Sequence, residues 1–173
     1  MPGYSDLRKG RASQVGQAYL VTFTTADRRP LFAQAERAMA ACQAMTASRL
    51  WYRSRLLCWV LMPDHWHGVI ELGALDSLSI MVQRLKCNSA RMVRLQHPET
   101  GQVWEKGFHD RALRNGPAVL ATARYVVANP LRAGLVRSVG AYPWWDATWM
   151  QGRRASRLTS LPHRRSPVVV ARP

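Results

Sequence analysis

The segment Trp59-Val60-Leu61-Met62-Pro63-Asp64-His65-Trp66-His67-Gly68-Val69-Ile70-Glu71-Leu72 constrains this chain more than any other. Apolar residues on either side of a Pro-Asp turn signal predict two strands, about Arg55 to Met62 and Trp66 to Leu72, with the histidines at the start of the second. Strand side chains alternate between faces, so His65 and His67 point one way and Trp66 the other. Two imidazoles on one face at that spacing can share a divalent ion, while the indole anchors the strand in a core on the opposite face. The pair alone is a weak signal, since one surface and one core histidine satisfy the same pattern.

The remaining chain bounds what such a strand can serve. At 173 residues and 47% hydrophobic content, one compact domain with tails is expected. Lys plus Arg total 25 against 10 Asp plus Glu, a formal net charge of +15, with a pI near 11.3. The natural partner of that charge is a polyanion. Arginine greatly outnumbers lysine, which suits planar, bidentate contact with phosphate and guanine, although GC-rich coding would produce the same bias. No apolar run approaches the roughly 20 residues of a spanning helix, and the N-terminus lacks an apolar signal core, so a soluble cytoplasmic protein without membrane association is expected. Cys42, Cys58 and Cys87 form no Cys-x-x-Cys pair and read as reduced, mostly buried thiols.

Residues 1–17, with Arg8, Lys9 and Arg11, read as a basic arm, and the domain proper as 18–150. Tyr19 to Thr25 predicts a strand, and Asp27-Arg28-Arg29-Pro30 a turn. A helix is predicted over about Leu31 to Leu50, with Phe32, Ala35, Met39, Cys42 and Met45 on its buried face. A second runs from Leu75 to about Gln96, with Leu78, Val82, Leu85 and Met92 inward and Arg84, Asn88, Arg91 and Arg94 outward. That outer stripe is either a phosphate track or an ordinary solvated face. Val103 to Leu113 predicts a hairpin, or a strand with a turn at Lys106-Gly107. Asn115-Gly116-Pro117 opens a third helix, capped by Asn115 or Gly116, that Pro130 stops after Asn129. This order is that of a ferredoxin-like (RRM-like) α+β sandwich, an antiparallel sheet covered by helices. Tyr142, Trp144, Trp145 and Trp149 would close the core, with stacking on unpaired bases as the alternative. Residues 151–173, with six arginines and no acid, read as a disordered basic tail.

On the third helix Tyr125 and Asn129 lie four residues apart and so share a face. A nucleophile and a metal ligand can sit side by side there, with Ala118, Ala121 and Thr122 leaving room for a substrate. A helix-surface tyrosine with its hydroxyl in water has the same spacing. Three motifs now stand in order: Met62-Pro63-Asp64-His65-Trp66-His67, Trp104 to Leu113, and Arg124-Tyr125-Val126-Val127-Ala128-Asn129-Pro130-Leu131-Arg132-Ala133-Gly134-Leu135-Val136. Together they resemble a REP-associated tyrosine transposase, a branch of the single-tyrosine HUH (His, hydrophobe, His) nucleases. The resemblance runs from about Tyr19 to Trp145.

That resemblance implies that Tyr125 is the nucleophile and that His65, His67 and Asn129 hold Mg²⁺ or Mn²⁺. It implies a 5′-phosphotyrosine intermediate on single-stranded DNA, or at the foot of an imperfect hairpin formed by a repetitive extragenic palindrome. Asp64 and Asp110 are possible supports for the ligands. Glu71, roughly 13 Å along the strand from His67, is too far to be a ligand. From charge placement, Arg8, Lys9, Arg11, Arg84, Arg91, Arg94 and Arg132 are the expected DNA contacts. With no swapped-helix linker in evidence along the chain, a monomer is favoured over a homodimer. The competing readings are a non-catalytic nucleic-acid-binding module on an RRM-like sheet and a metal-dependent hydrolase that uses water.

Overall fold

The alternation read in the His-x-His segment is realised at the centre of a five-stranded antiparallel sheet. The computed structural model describes residues 14–114 and 116–150. The arm cations Arg8, Lys9 and Arg11, the possible cap Asn115 and the tail 151–173 lie outside the described residues. The elements in chain order are β1 (Ala18–Thr24), α1 (Ala35–Thr46), β2 (Arg55–Leu61), β3 (His65–Glu71), α2 (Leu78–Gln96), β4 (His109–Leu113), α3 (Gly116–Val127), α4 (Asn129–Arg132) and β5 (Trp145–Ala147). Strand order is β4-β1-β3-β2-β5. The first four strands and two helices are the expected ferredoxin-like unit; α3, α4 and β5 are added to it.

β3 separates two cores. Trp66 and Ile70 are fully buried with Val21, Phe23, Trp59 and Leu61 under the inner faces of α1 and α2. On the other side Val69 is buried with Cys58, Val60, Leu113, Ala123 and Val126, so α3 covers that face. β2 is apolar on both sides, which is why Leu56-Leu57-Cys58-Trp59-Val60-Leu61 reads as a continuous apolar run rather than an alternation. Trp66 stacks on Phe23 with ring centroids 5.0 Å apart, and Phe23 meets Trp104 edge-on at 4.7 Å. The Trp66 indole folds back over Gly68, where an added Cβ would stand 2.1 Å from Cη2. Only glycine leaves the ring that space.

Several expected boundaries shift, each for a tertiary reason. Instead of a helix from Leu31 to Leu50, α1 occupies Ala35–Thr46, because Leu31–Ala33 form a separate 3-10 turn and Gln34 after it is extended; the Phe32 N–H meets the Pro63 carbonyl at 2.9 Å. The buried stripe of α1 is Ala38, Ala41, Cys42 and Met45, with Met39 outside at 44% exposure. α2 starts at Leu78, where the Ser77 side chain accepts the Ile80 N–H, and Leu75 is exposed before it. No hairpin forms over 103–113. Trp104 makes a single bridge to Thr25, while Lys86 Nζ donates to the carbonyls of Glu105 (2.5 Å) and Gly107 (2.7 Å), which holds the loop away from a second strand. Pro130 does not simply stop the third helix. α3 ends at Val127 and Pro130 sits in the first turn of α4, the position where its missing N–H costs least. Cys42 and Cys58 are buried and Cys87 is exposed; burial raises both buried thiols well above the ordinary range.

Gly68→Ala is expected to destabilise the protein by about 1–3 kcal/mol through overpacking against Trp66. A urea midpoint unchanged from wild type would show that the indole can move aside.

Candidate active site

Register places the histidines before any side chain is considered. In the β1–β3 ladder Thr24 faces His65 and Thr22 faces His67, and Thr22 also faces His109 on β4. Directly opposed residues share a face, so His67, Thr22 and His109 form a row across three strands on the α3 side of the sheet. The rings of His65 and His67 lie 4.5 Å apart, nearly perpendicular.

Each ring is held through the same nitrogen. His65 Nδ1 is 2.5 Å from Asp64 Oδ1, and His67 Nδ1 is 2.6 Å from Thr22 Oγ1. With both Nδ1 atoms engaged, Nε2 is the nitrogen each ring has left for a ligand, the arrangement metal-binding histidines use. Asp64 is itself fixed. Its carboxylate accepts from Arg28 at 3.3 Å, and its carbonyl accepts from the Thr25 N–H at 2.8 Å and the Thr25 hydroxyl at 3.0 Å. Burial pushes the Asp64 carboxyl up, but the hydrogen bond and charge of His65, and those of Arg28, outweigh it and leave the group below the usual carboxylate range. Burial, then the charge of His65, push His67 down to about 4. His67 is therefore neutral at pH 7, the form that binds a metal. Among the described residues no three His, Cys, Asp or Glu side chains form a cluster that could hold a metal, so a full donor set needs a group of another kind.

α3 brings such a group to the same face. Thr122, Ala123 and Val126 are its buried side, and Ala123 and Val126 share a core with Val69, two residues beyond His67 on the same side of β3. Tyr125 is 45% exposed beside that stripe. The Asn129 amide donates to the Val126 carbonyl at 3.3 Å, the carbonyl that Pro130, having no N–H, cannot serve. That bond uses Nδ2 and leaves Oδ1 as the atom the amide can offer as a ligand. Arg132 places its guanidinium 4.8 Å from the centroid of the Tyr125 ring.

The other expected residues separate. Glu71 pairs with Arg55 at 3.1 Å. On α2, Arg84 is drawn to the buried Asp76 at 2.6 Å, which ties down that member of the outward stripe; Arg91 and Arg94 are exposed. The aromatic group divides. Tyr142 donates to the Leu61 carbonyl at 2.7 Å and Trp145 to that of Val139 at 3.0 Å, both as core, whereas Trp149 is exposed. Thr22 is the residue that sequence reasoning missed. Its side-chain parity was readable, but its position opposite His67 follows from strand register.

Compared with known proteins, residues 13–129 match the family described as Transposase IS200 like. Among solved structures, a REP-associated tyrosine transposase bound to a REP hairpin superposes with a TM-score of 0.64 at 19% identity, covering 99% of this chain and 95% of the other. A candidate transposase from Deinococcus radiodurans R1 is similar at a TM-score of 0.48 and 19% identity, over 70% of this chain and 96% of that one. No curated protein matches the chain.

The depressed His67 pKa has a consequence for stability. Between its ordinary value and about 4 the unfolded chain takes up a proton that the folded protein refuses, so stability falls as pH is lowered through that window. The loss is expected to reach about 3 kcal/mol at most, and to shrink in His67→Gln. Denaturant midpoints at pH 7, 5.5 and 4.5 measure it, and equal acid sensitivity in the two proteins would contradict it.

Proposed function

The chain belongs to the IS200-like transposase family, and on that premise we propose that it cleaves and rejoins single-stranded DNA through Tyr125. The observation that carries this reading is the convergence of the His65–His67 pair, each ring held at Nδ1, and the Tyr125-bearing helix on one face of the sheet. The substrate is single-stranded DNA or the foot of an imperfect hairpin formed by a repetitive extragenic palindrome.

His65 and His67, through Nε2, and Asn129, through its amide oxygen, would hold Mg²⁺ or Mn²⁺. Two imidazoles and one amide make an open site of nitrogen and oxygen donors, unlike a closed structural zinc cage. When bound, the ion supplies polarisation of a phosphate oxygen. Tyr125 Oη forms a bond to the phosphorus, and the bond from phosphorus to the 3′ oxygen breaks. The phenol gives up its proton to solvent and the departing oxygen takes one up, leaving a 5′-phosphotyrosine and a free 3′-hydroxyl. Because one phosphodiester replaces another, the reverse reaction rejoins DNA without an external energy source. A free phenol, with a pKa of about 10, is a weak nucleophile at neutral pH, which is why cations around it matter.

α3 packs on β2 and β3 of its own chain, which supports a site built within one monomer. The same packing weakens the RRM-like alternative. The sheet face that a base-stacking module leaves open carries Ala123 and Val126 here. Of the expected DNA contacts, Arg91 and Arg94 offer exposed charge on α2, whereas Arg84 is held by Asp76; Arg8, Lys9 and Arg11 lie outside the described residues.

Denaturing electrophoresis of the protein with labelled single-stranded palindromic DNA is expected to show a slow covalent species that requires a divalent metal and is absent in Tyr125→Phe. Binding without any adduct across several host palindromes would favour the binding module, and cleavage without an adduct the water-using hydrolase. Thr22→Val, which frees the His67 ring, is expected to weaken Mn²⁺ binding by roughly 10- to 100-fold in calorimetry. Neutralising Arg91 and Arg94 is expected to flatten the salt dependence of DNA binding by about 0.7–0.9 for each phosphate that goes unneutralised; an unchanged slope removes them from the interface.

A further inference from the structure

Resting on the Tyr125 reading, we propose that Arg132 is a positioning residue for the nucleophile rather than one more cation on a diffuse DNA track. Tyr125, Asn129 and Arg132 follow one another at i, i+4 and i+7 and so form one stripe along α3 and α4. The backbone holds that spacing across the Pro130 junction: the Ala128 N–H bonds the Arg124 carbonyl at 3.0 Å, and the Arg132 N–H bonds the Ala128 carbonyl at 3.0 Å. On this frame the Arg132 guanidinium lies 4.8 Å from the Tyr125 ring centroid.

Arg53 also stands over a tyrosine ring, that of Tyr52, at 4.8 Å; Arg132 differs in that the ring it covers is that of Tyr125. Arg28, Arg37, Arg55 and Arg84 each meet a carboxylate, whereas among the described residues Arg132 has no ion-pair partner and its charge faces an aromatic ring. Both residues of the pair are exposed, so burial does not force the contact; the attraction of the guanidinium for the ring face does. A guanidinium held over an exposed tyrosine ring narrows the ring orientations available before DNA arrives. It also fixes a positive charge beside the place where a phosphate must stand for Oη to reach its phosphorus. Such preorganisation acts on the rate of the bound complex, because small errors in the approach of the reacting atoms cost up to about a hundredfold. A cation that only binds DNA backbone acts on affinity and its salt dependence instead.

The test uses a labelled single-stranded oligonucleotide carrying an imperfect palindrome from the host genome. Single-turnover adduct formation is measured at saturating protein with Mn²⁺, and affinity by fluorescence anisotropy in EDTA. Wild type, R132Q, R132K and Y125F are compared, with thermal melts to confirm that each is folded. For R132Q the saturating rate is expected to fall tenfold or more while Kd changes less than threefold. R132K, which restores the charge but not the planar guanidinium, is expected to recover only part of the rate. A Tyr125-dependent adduct whose saturating rate is indifferent to R132Q overturns this proposal alone, as does a loss confined to Kd. An adduct that persists in Y125F overturns the nucleophile assignment and this proposal with it.

Discussion

The site depends on the burial of Trp66. Its indole is fully buried, stacked on Phe23 and folded over Gly68, and it leaves β3 a single acceptable register between β1 and β2. A slip of one residue would turn every side chain of the strand over, carrying the indole into the half-open face and both imidazoles into an apolar core. Desolvating two imidazoles without partners is costly, and so is exposing a large aromatic, so both penalties fall on the same error. The direction of the histidines is thus an outcome of packing on the opposite face.

Packing sets direction, and a small polar network sets the finer geometry. Thr22 on β1 holds His67, and Asp64, in the turn before β3, holds His65. That turn is in turn clamped by Thr25, by the Phe32 N–H on Pro63 and by Arg28. Phe32 reaches that turn from a short 3-10 turn at Leu31–Ala33, which the extended Gln34 separates from α1.

α3 turns a general fold into a divided one. The ferredoxin-like unit needs helices on one side only, and α1 and α2 fill it. By covering Val60, Val69 and Leu113 on the other side, α3 brings Tyr125 and Asn129 onto the face that carries the histidines, and the Pro130 junction carries Arg132 back over the tyrosine ring. The arginine excess follows a similar division. Part of it is spent on carboxylates such as Asp76 and Glu71, and Arg91 and Arg94 are left exposed on α2.

Much of this was legible along the chain, because it rests on local periodicity. The parity of His65, Trp66 and His67, the strand and helix order, the i, i+4 relation of Tyr125 and Asn129, and the separation of Glu71 from the pair all follow from repeats of 2 and 3.6 residues. What periodicity does not carry is which elements meet. The choice of Thr22 to hold His67 comes from the β1–β3 register. The loss of Arg84 to Asp76 comes from a buried carboxylate that demands a partner, and the exposure of Met39 from which stripe of an alanine-rich helix α2 selects. The loop at 105–107 in place of a hairpin comes from Lys86 reaching its carbonyls. Sequence determined the chemistry available on each face of each element. Tertiary structure decided which of those groups are spent on one another, because hydrogen bonds and ion pairs between distant segments exist only once the core has fixed their distances.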